Sequence, residues 1–140
     1  MQQLADESPD SGFAVAVAAE ALYLVNLLLI PGLAFLLLLL LWWRKRDHAS
    51  PLARAHLAQT LSASVWAGFL LVVANALILI LGGYQGAWTW VVLILYFTTC
   101  HSTLVFFGAY GLAKAMAAQC WRYPLVGRPL PSGCSGVVTA

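Results

Sequence analysis

Charge is scarce in this sequence. Of 140 residues, 9% are Asp, Glu, Lys or Arg and 62% are hydrophobic, and mean hydropathy is +0.86. A soluble domain is about 25% charged and about 45–50% apolar, so the composition excludes a water-soluble globule and indicates an integral membrane protein. The net charge is only +2, and the basic residues sit at the ends of apolar segments. They read as membrane-orienting groups and not as a nucleic-acid surface. Cysteine is also sparse: Cys100, Cys120 and Cys134 make an odd set with no C-x-x-C pair, which argues against a disulfide scaffold. No phosphate-cradling glycine loop and no catalytic triad is present, so no enzyme activity is expected. The residues Met1 to Gly12 hold Asp6, Glu7 and Asp10 but no Lys or Arg. That is the wrong polarity for a secretory leader, and the first apolar segment is expected to be retained.

What is present is hydrocarbon in long runs. Residues 1–12 predict a disordered acidic tail, residues 13–122 a single transmembrane domain, and residues 123–140 an irregular tail rich in Pro and Gly. A bilayer core needs about 20 helical residues, and Leu22 to Trp43 supplies a first span. Pro31 within it cannot donate to the carbonyl of Leu27, which predicts a kink near mid-membrane. The basic linker Arg44-Lys45-Arg46 follows. Ser50 and Pro51 suit an N-cap and first helical position, and Leu52 to Thr60 is amphipathic, which predicts a short interfacial helix. Leu61 to Leu81 is the second span, Gly82 to Gly86 a tight uncharged turn, and Trp88 to about Leu112 the third. The expected fold class is therefore all-α and integral to the membrane, with three transmembrane helices. Basic residues flank the linker and the tail and none lies in the Gly82–Gly86 turn, which predicts a cytoplasmic (inner) membrane protein with its N-terminus outside and its C-terminus in the cytoplasm.

The basic linker, Ser50-Pro51 and the run Ala53-Arg54-Ala55-His56-Leu57-Ala58-Gln59-Thr60-Leu61 resemble the helix start of a family of small bacterial membrane proteins of unknown function, distantly grouped with the chloroplast inner-envelope import component Tic-twenty. Trp121-Arg122-Tyr123-Pro124-Leu125 is similar to the segment that follows that family's last span. The usual Ala-Leu-Asn-Phe reads Thr60-Leu61-Ser62-Ala63 here. The resemblance implies a membrane fold and no particular reaction.

Polar side chains inside the spans are the candidate contacts. Thr98 to Thr103 form an uninterrupted polar band around His101, and a neutral His101 at mid-depth, with Thr99 and Ser102 beside it, reads as interhelical hydrogen-bonding glue able to reach the carbonyl freed by Pro31. Asn26 and Asn75 sit at similar depth in their spans and are expected to pair. Glu20, near the outer interface, is expected to be solvated, with burial against another subunit as the alternative. Arg44, Lys45, Arg46, Arg54, His56 and Gln59 read as an interfacial cluster for lipid headgroups or a partner. Gly108, Gly111, Ala109 and Ala115 give the third span a small-residue face.

Haem or copper held by His48, His56 and His101, with Cys100 as a further ligand, is the sharper alternative. His56 lies about 22 Å from the centre of its span, too far to pair with His101, so no metal and no cofactor is expected. The function read from the sequence is a non-catalytic membrane protein acting through helix assembly, with itself or as an accessory subunit of a larger complex. A redox subunit and an oligomeric pore or translocation component are the alternatives.

Overall fold

The computed structural model describes residues 9–134, which are all-helical apart from turns and irregular connections. The helices are α1 (Pro9–Leu28), α2 (Leu33–Lys45), α3 (Pro51–Ile80), α4 (Trp88–Leu95) and α5 (Ser102–Met116), with a π-helical turn, Tyr96–His101, joining the last two. Two rods are long and apolar enough to cross a membrane: α3 and the continuous Trp88–Met116. The Gly82–Gly86 turn joins them, with Gly82 and Gly83 at positive φ. Most of the expected tail over residues 1–12 lies outside the described residues, but helix has already begun at Pro9.

The expected first span is not one kinked helix. It is two antiparallel helices. Pro31 has no N–H to continue α1, and Gly32 adopts φ +88, a left-handed conformation that glycine reaches without a Cβ penalty. The N–H groups of Leu29 and Ile30 both donate to the Val25 carbonyl at 3.0 Å. The Gly32 N–H, freed by the reversal, donates to Asn26 Oδ1 at 3.1 Å. The chain then runs back along α2 until Gly12 lies directly against Ser50, so close that a Cβ on Gly12 would meet Ser50 Oγ at 2.4 Å. The start of α1, the linker after α2 and the start of α3 therefore share one end of the bundle. The hairpin tip, Leu27 to Gly32, reaches only the middle of the long rods, beside Ser64–Leu71 and Tyr96–His101.

No separate interfacial helix precedes the second span: residues 51–80 form one unbroken helix. Ser50 occupies its N-cap position in an extended conformation and Pro51 follows at N1, although the Ser50 side chain makes no capping bond. A core of Ala19, Tyr23, Leu38, Leu57, Ala63 and Tyr123 fills the linker end of the bundle. The opposite half of each rod exposes large apolar side chains, among them Phe69, Val72, Leu79, Trp90 and Ile94.

Candidate functional site

The site begins with a carboxyl group that the hydrocarbon of α1 cannot solvate. Glu20 is fully buried. Spacing of three or four residues puts side chains on one helical face, so Glu20 and Tyr23 project together from α1, and His56, Gln59 and Thr60 together from the first turns of α3. The third wall is α5, whose Gly108, Gly111 and Ala115 are all buried. A Cβ on Gly111 would stand 2.6 Å from a Glu20 carboxylate oxygen, and one on Gly108 would stand 2.8 Å from the Tyr23 ring. The small-residue face seen in the sequence is thus the seat of α1, with Ala109 left outside it, exposed.

Glu20 Oε1 lies 2.6 Å from His56 Nδ1, and the Tyr123 hydroxyl donates to Glu20 Oε2. His56 Nε2 lies 3.0 Å from the carbonyl of Gln119, which can only accept, so this nitrogen carries a proton. One further proton is shared between Nδ1 and Oε1, and the pair is neutral overall wherever that proton resides. Burial, and then the Glu20 charge, push the Tyr123 phenol far above its usual range, so it stays a protonated donor. Tyr23 donates in turn to the Leu104 carbonyl at 3.1 Å and meets Tyr123 edge to face, with ring centroids 5.7 Å apart.

Gln59 fastens the chain beyond α5 to this knot. Its Nε2 donates to the Arg128 carbonyl at 2.7 Å, while its Oε1 accepts from the backbone N–H groups of Arg128 at 3.0 Å and Tyr123 at 3.4 Å. Ser62 Oγ adds a bond to the Val126 carbonyl at 2.7 Å. Gly127 must lack a side chain, because a Cβ would lie 2.3 Å from the Tyr123 carbonyl and 2.5 Å from Gln59 Oε1. Every nitrogen and oxygen of the Glu20, His56 and Tyr123 side chains has a partner, and all three residues are at most 1% exposed. The arrangement can hold α1, α3 and the tail together; it offers no free nucleophile or base to a substrate.

Several expectations need correction here. His56 and Gln59 are not an interfacial edge for lipid or partner but the buried centre of the lock. Glu20 is not solvated. Arg44, Lys45 and Arg46 are exposed at the end of α2, where Arg46 pairs with Asp47 at 3.4 Å, whereas Arg54 is half-buried with its Nε unpartnered. Asn26 and Asn75 do not pair, because the reversal at Gly32 keeps α1 in the linker half of the bundle. Asn75 Nδ2 instead donates to the Leu71 carbonyl at 2.8 Å, and its Oδ1 accepts from Tyr84 at 2.7 Å.

The polar band is turned on its own helix, as short hydroxyl side chains within helices commonly are. Thr99 donates to the Leu95 carbonyl, Thr103 to Thr99 at 2.6 Å, and Ser102 to Phe97 at 2.7 Å. His101 shares a cavity with Leu27 and Pro31 but makes no hydrogen bond to them; its ring contacts are Phe97 at 5.1 Å and Tyr96 at 6.4 Å. Cys120 and Cys134, in a chain where no disulfide scaffold is expected, form a disulfide because the tail folds back to bring their Cα atoms to 5.8 Å, leaving Cys100 free. Among the described residues no group of three or more His, Cys, Asp or Glu gathers that could hold a metal ion.

Residues 13–130 match the model of a family described as the magnetosome magnetite crystal formation protein family. No curated protein and no solved structure matches the chain. The matching family is bacterial and small, as the resemblance implied, but nothing in these comparisons links the chain to the chloroplast import component. The matched segment contains the whole lock, from Glu20 to Arg128.

Proposed function

This chain belongs to the magnetosome magnetite crystal formation protein family, and from that premise we propose that it is a non-catalytic protein of the magnetosome membrane that supports crystal formation by assembling with itself or with a larger membrane complex. The observation that carries the reading is the completeness of the lock: Glu20, His56, Gln59 and Tyr123 are consumed in holding the fold, and the long rods turn large apolar side chains outward. Exposed Leu36, Leu37, Val65, Phe69, Ile94 and Phe106 are suited to acyl chains or to other helices.

In this reading α3 and the Trp88–Met116 rod cross the bilayer, and the α1–α2 hairpin enters from the linker side and returns to it. All seven basic residues of the chain, Arg44, Lys45, Arg46, Arg54, Lys114, Arg122 and Arg128, then lie at one membrane face, and none lies in the Gly82–Gly86 turn. The positive-inside rule assigns that face to the cytoplasm, which brings the start of α1 to the cytoplasmic side as well. A disulfide favours an oxidising compartment and pulls the other way. In this reading the charge bias, seven basic residues at one face and none in the opposite turn, outweighs it. The turn on the opposite, crystal-facing side carries no Asp, Glu, His or Cys to bind iron, which supports a role in organising the membrane and not in templating mineral.

The test is electron microscopy of magnetite crystals in the native host with this chain removed and then restored as a tagged copy. The expected result is a change in crystal size, shape or number that the tagged chain reverses while co-fractionating with magnetosome membrane. Unchanged crystals, or a chain found only in other membranes, contradict the reading.

A further inference from the structure

A cavity of about 550 Å³ opens between the hairpin tip and the middles of the two long rods. Neither Glu20, His56 nor Tyr123 lines it, so it is separate from the lock. Its volume is in the range of about 300–1,000 Å³ usual for small-molecule sites. Most of its wall is carbon, from Leu27, Pro31, Phe35, Val65, Leu71 and Phe97, and no Asp, Glu, Lys or Arg contributes, so an ion would be stranded there.

One polar group in the wall is unexplained. Ser64 is 4% exposed and its Oγ has no hydrogen-bond partner. Buried hydroxyls are ordinarily satisfied, and in this chain Thr60, Thr98, Ser102 and Thr103 all bond to carbonyls of their own rods. Ser64 does not, and it lines the cavity together with Asn26 and His101. Another part of the wall is the π-helical turn Tyr96–His101, and such turns inside α-helices are frequent at functional sites. Gly68 completes the wall, and a Cβ there would meet nothing within 4 Å.

We propose that this cavity binds an uncharged, mainly hydrocarbon molecule of the bilayer carrying a carbonyl or hydroxyl oxygen, with that oxygen hydrogen-bonded to Ser64 once its hydroxyl rotates from its closed-off position toward the cavity. A prenylated quinone and a neutral glycerolipid share this chemistry. Gly68 supplies a test, because it lines the cavity and a Cβ there would meet nothing within 4 Å, which leaves room for a larger side chain to enter from that wall.

The full chain, purified in detergent, is titrated with decylbenzoquinone, monoolein or oxygen-free decylbenzene, and bound probe is counted by native mass spectrometry. An oxygen-bearing probe is expected to saturate at one per chain and to be lost in Gly68→Phe, with helix content and melting held at the level of the parent. Ser64→Ala is expected to weaken that probe roughly three- to tenfold, the worth of one hydrogen bond, and to leave decylbenzene unaffected. Saturation by decylbenzoquinone alone assigns the quinone class, by monoolein alone the glycerolipid class, and by both the shared chemistry. Binding of neither, binding that survives Gly68→Phe, or affinity for decylbenzene equal to that of the oxygen-bearing probes overturns the proposal.

Discussion

Glu20→Ala is expected to cost the folded state about 3–5 kcal/mol, the usual cost of removing one member of a buried ion pair. The loss exceeds that of one hydrogen bond because His56, held by the Gln119 carbonyl on its other side, would keep an imidazole buried against an emptied space, and the Tyr123 hydroxyl would lose its acceptor. The double replacement Glu20→Leu with His56→Leu is expected to recover most of this loss, since apolar side chains of similar volume often substitute for a buried pair without penalty. Denaturant-induced unfolding in mixed micelles, followed by circular dichroism, measures all three chains. If Glu20→Ala unfolds within about 1 kcal/mol of the parent, the range of an exposed pair, then the carboxylate is solvated and the lock does not exist.

The second large effect is a change of sign at Gly111. Alanine at an ordinary helical glycine gains about 0.5–1 kcal/mol. Here the new methyl would stand 2.6 Å from Glu20 Oε2, and α1 cannot retreat without parting Glu20 from His56. Gly111→Ala in the parent is therefore expected to destabilise by roughly 1–3 kcal/mol, the range for overpacking a filled core. In the Glu20→Ala background the obstructing carboxylate is gone, and the same substitution should stabilise by about 0.5–1 kcal/mol. The same unfolding measurement gives both numbers, and a stabilising Gly111→Ala in the parent would show that α1 does not seat against α5 at this glycine.

How much of this was legible in the sequence follows from which forces are local. The apolar rods and the uncharged Gly82–Gly86 turn come directly from hydropathy and glycine. Pro31 reads in the sequence as a kink in one span, because a proline alone says only that a helix is interrupted. The reversal needs Gly32 in a left-handed conformation and the Asn26 side chain beneath it. The Pro-Gly pair is itself a turn signal, and length misled: Leu22 to Trp43 happens to be long enough to span.

The lock was less visible because its members lie far apart in sequence, Glu20 being 36 residues from His56 and 103 from Tyr123. A lone carboxylate in an apolar helix was the signal available for it. Two stretches that carried the resemblance, Ala53–Leu61 and Trp121–Leu125, turn out to be partners: Gln59 from the first accepts from the Tyr123 backbone N–H in the second, and His56 and the Tyr123 hydroxyl meet on the Glu20 carboxyl. The Thr98–Thr103 band misled in the opposite direction, since hydroxyls that bond to their own helix look the same in sequence as hydroxyls that reach a neighbour.

Threading is the central claim, and cysteine labelling reaches it most directly. With Cys100, Cys120 and Cys134 replaced by serine, single cysteines are placed at Phe13, Arg46 and Gln85, all exposed, and sealed magnetosome vesicles with their cytoplasmic face outward are treated with a membrane-impermeant maleimide. A hairpin that enters and leaves by one face predicts that Phe13→Cys and Arg46→Cys react together, while Gln85→Cys reacts only after detergent opens the vesicles. Protection of Phe13→Cys alongside Gln85→Cys, with Arg46→Cys alone reactive, would mean that the first apolar run crosses the bilayer and would contradict the account.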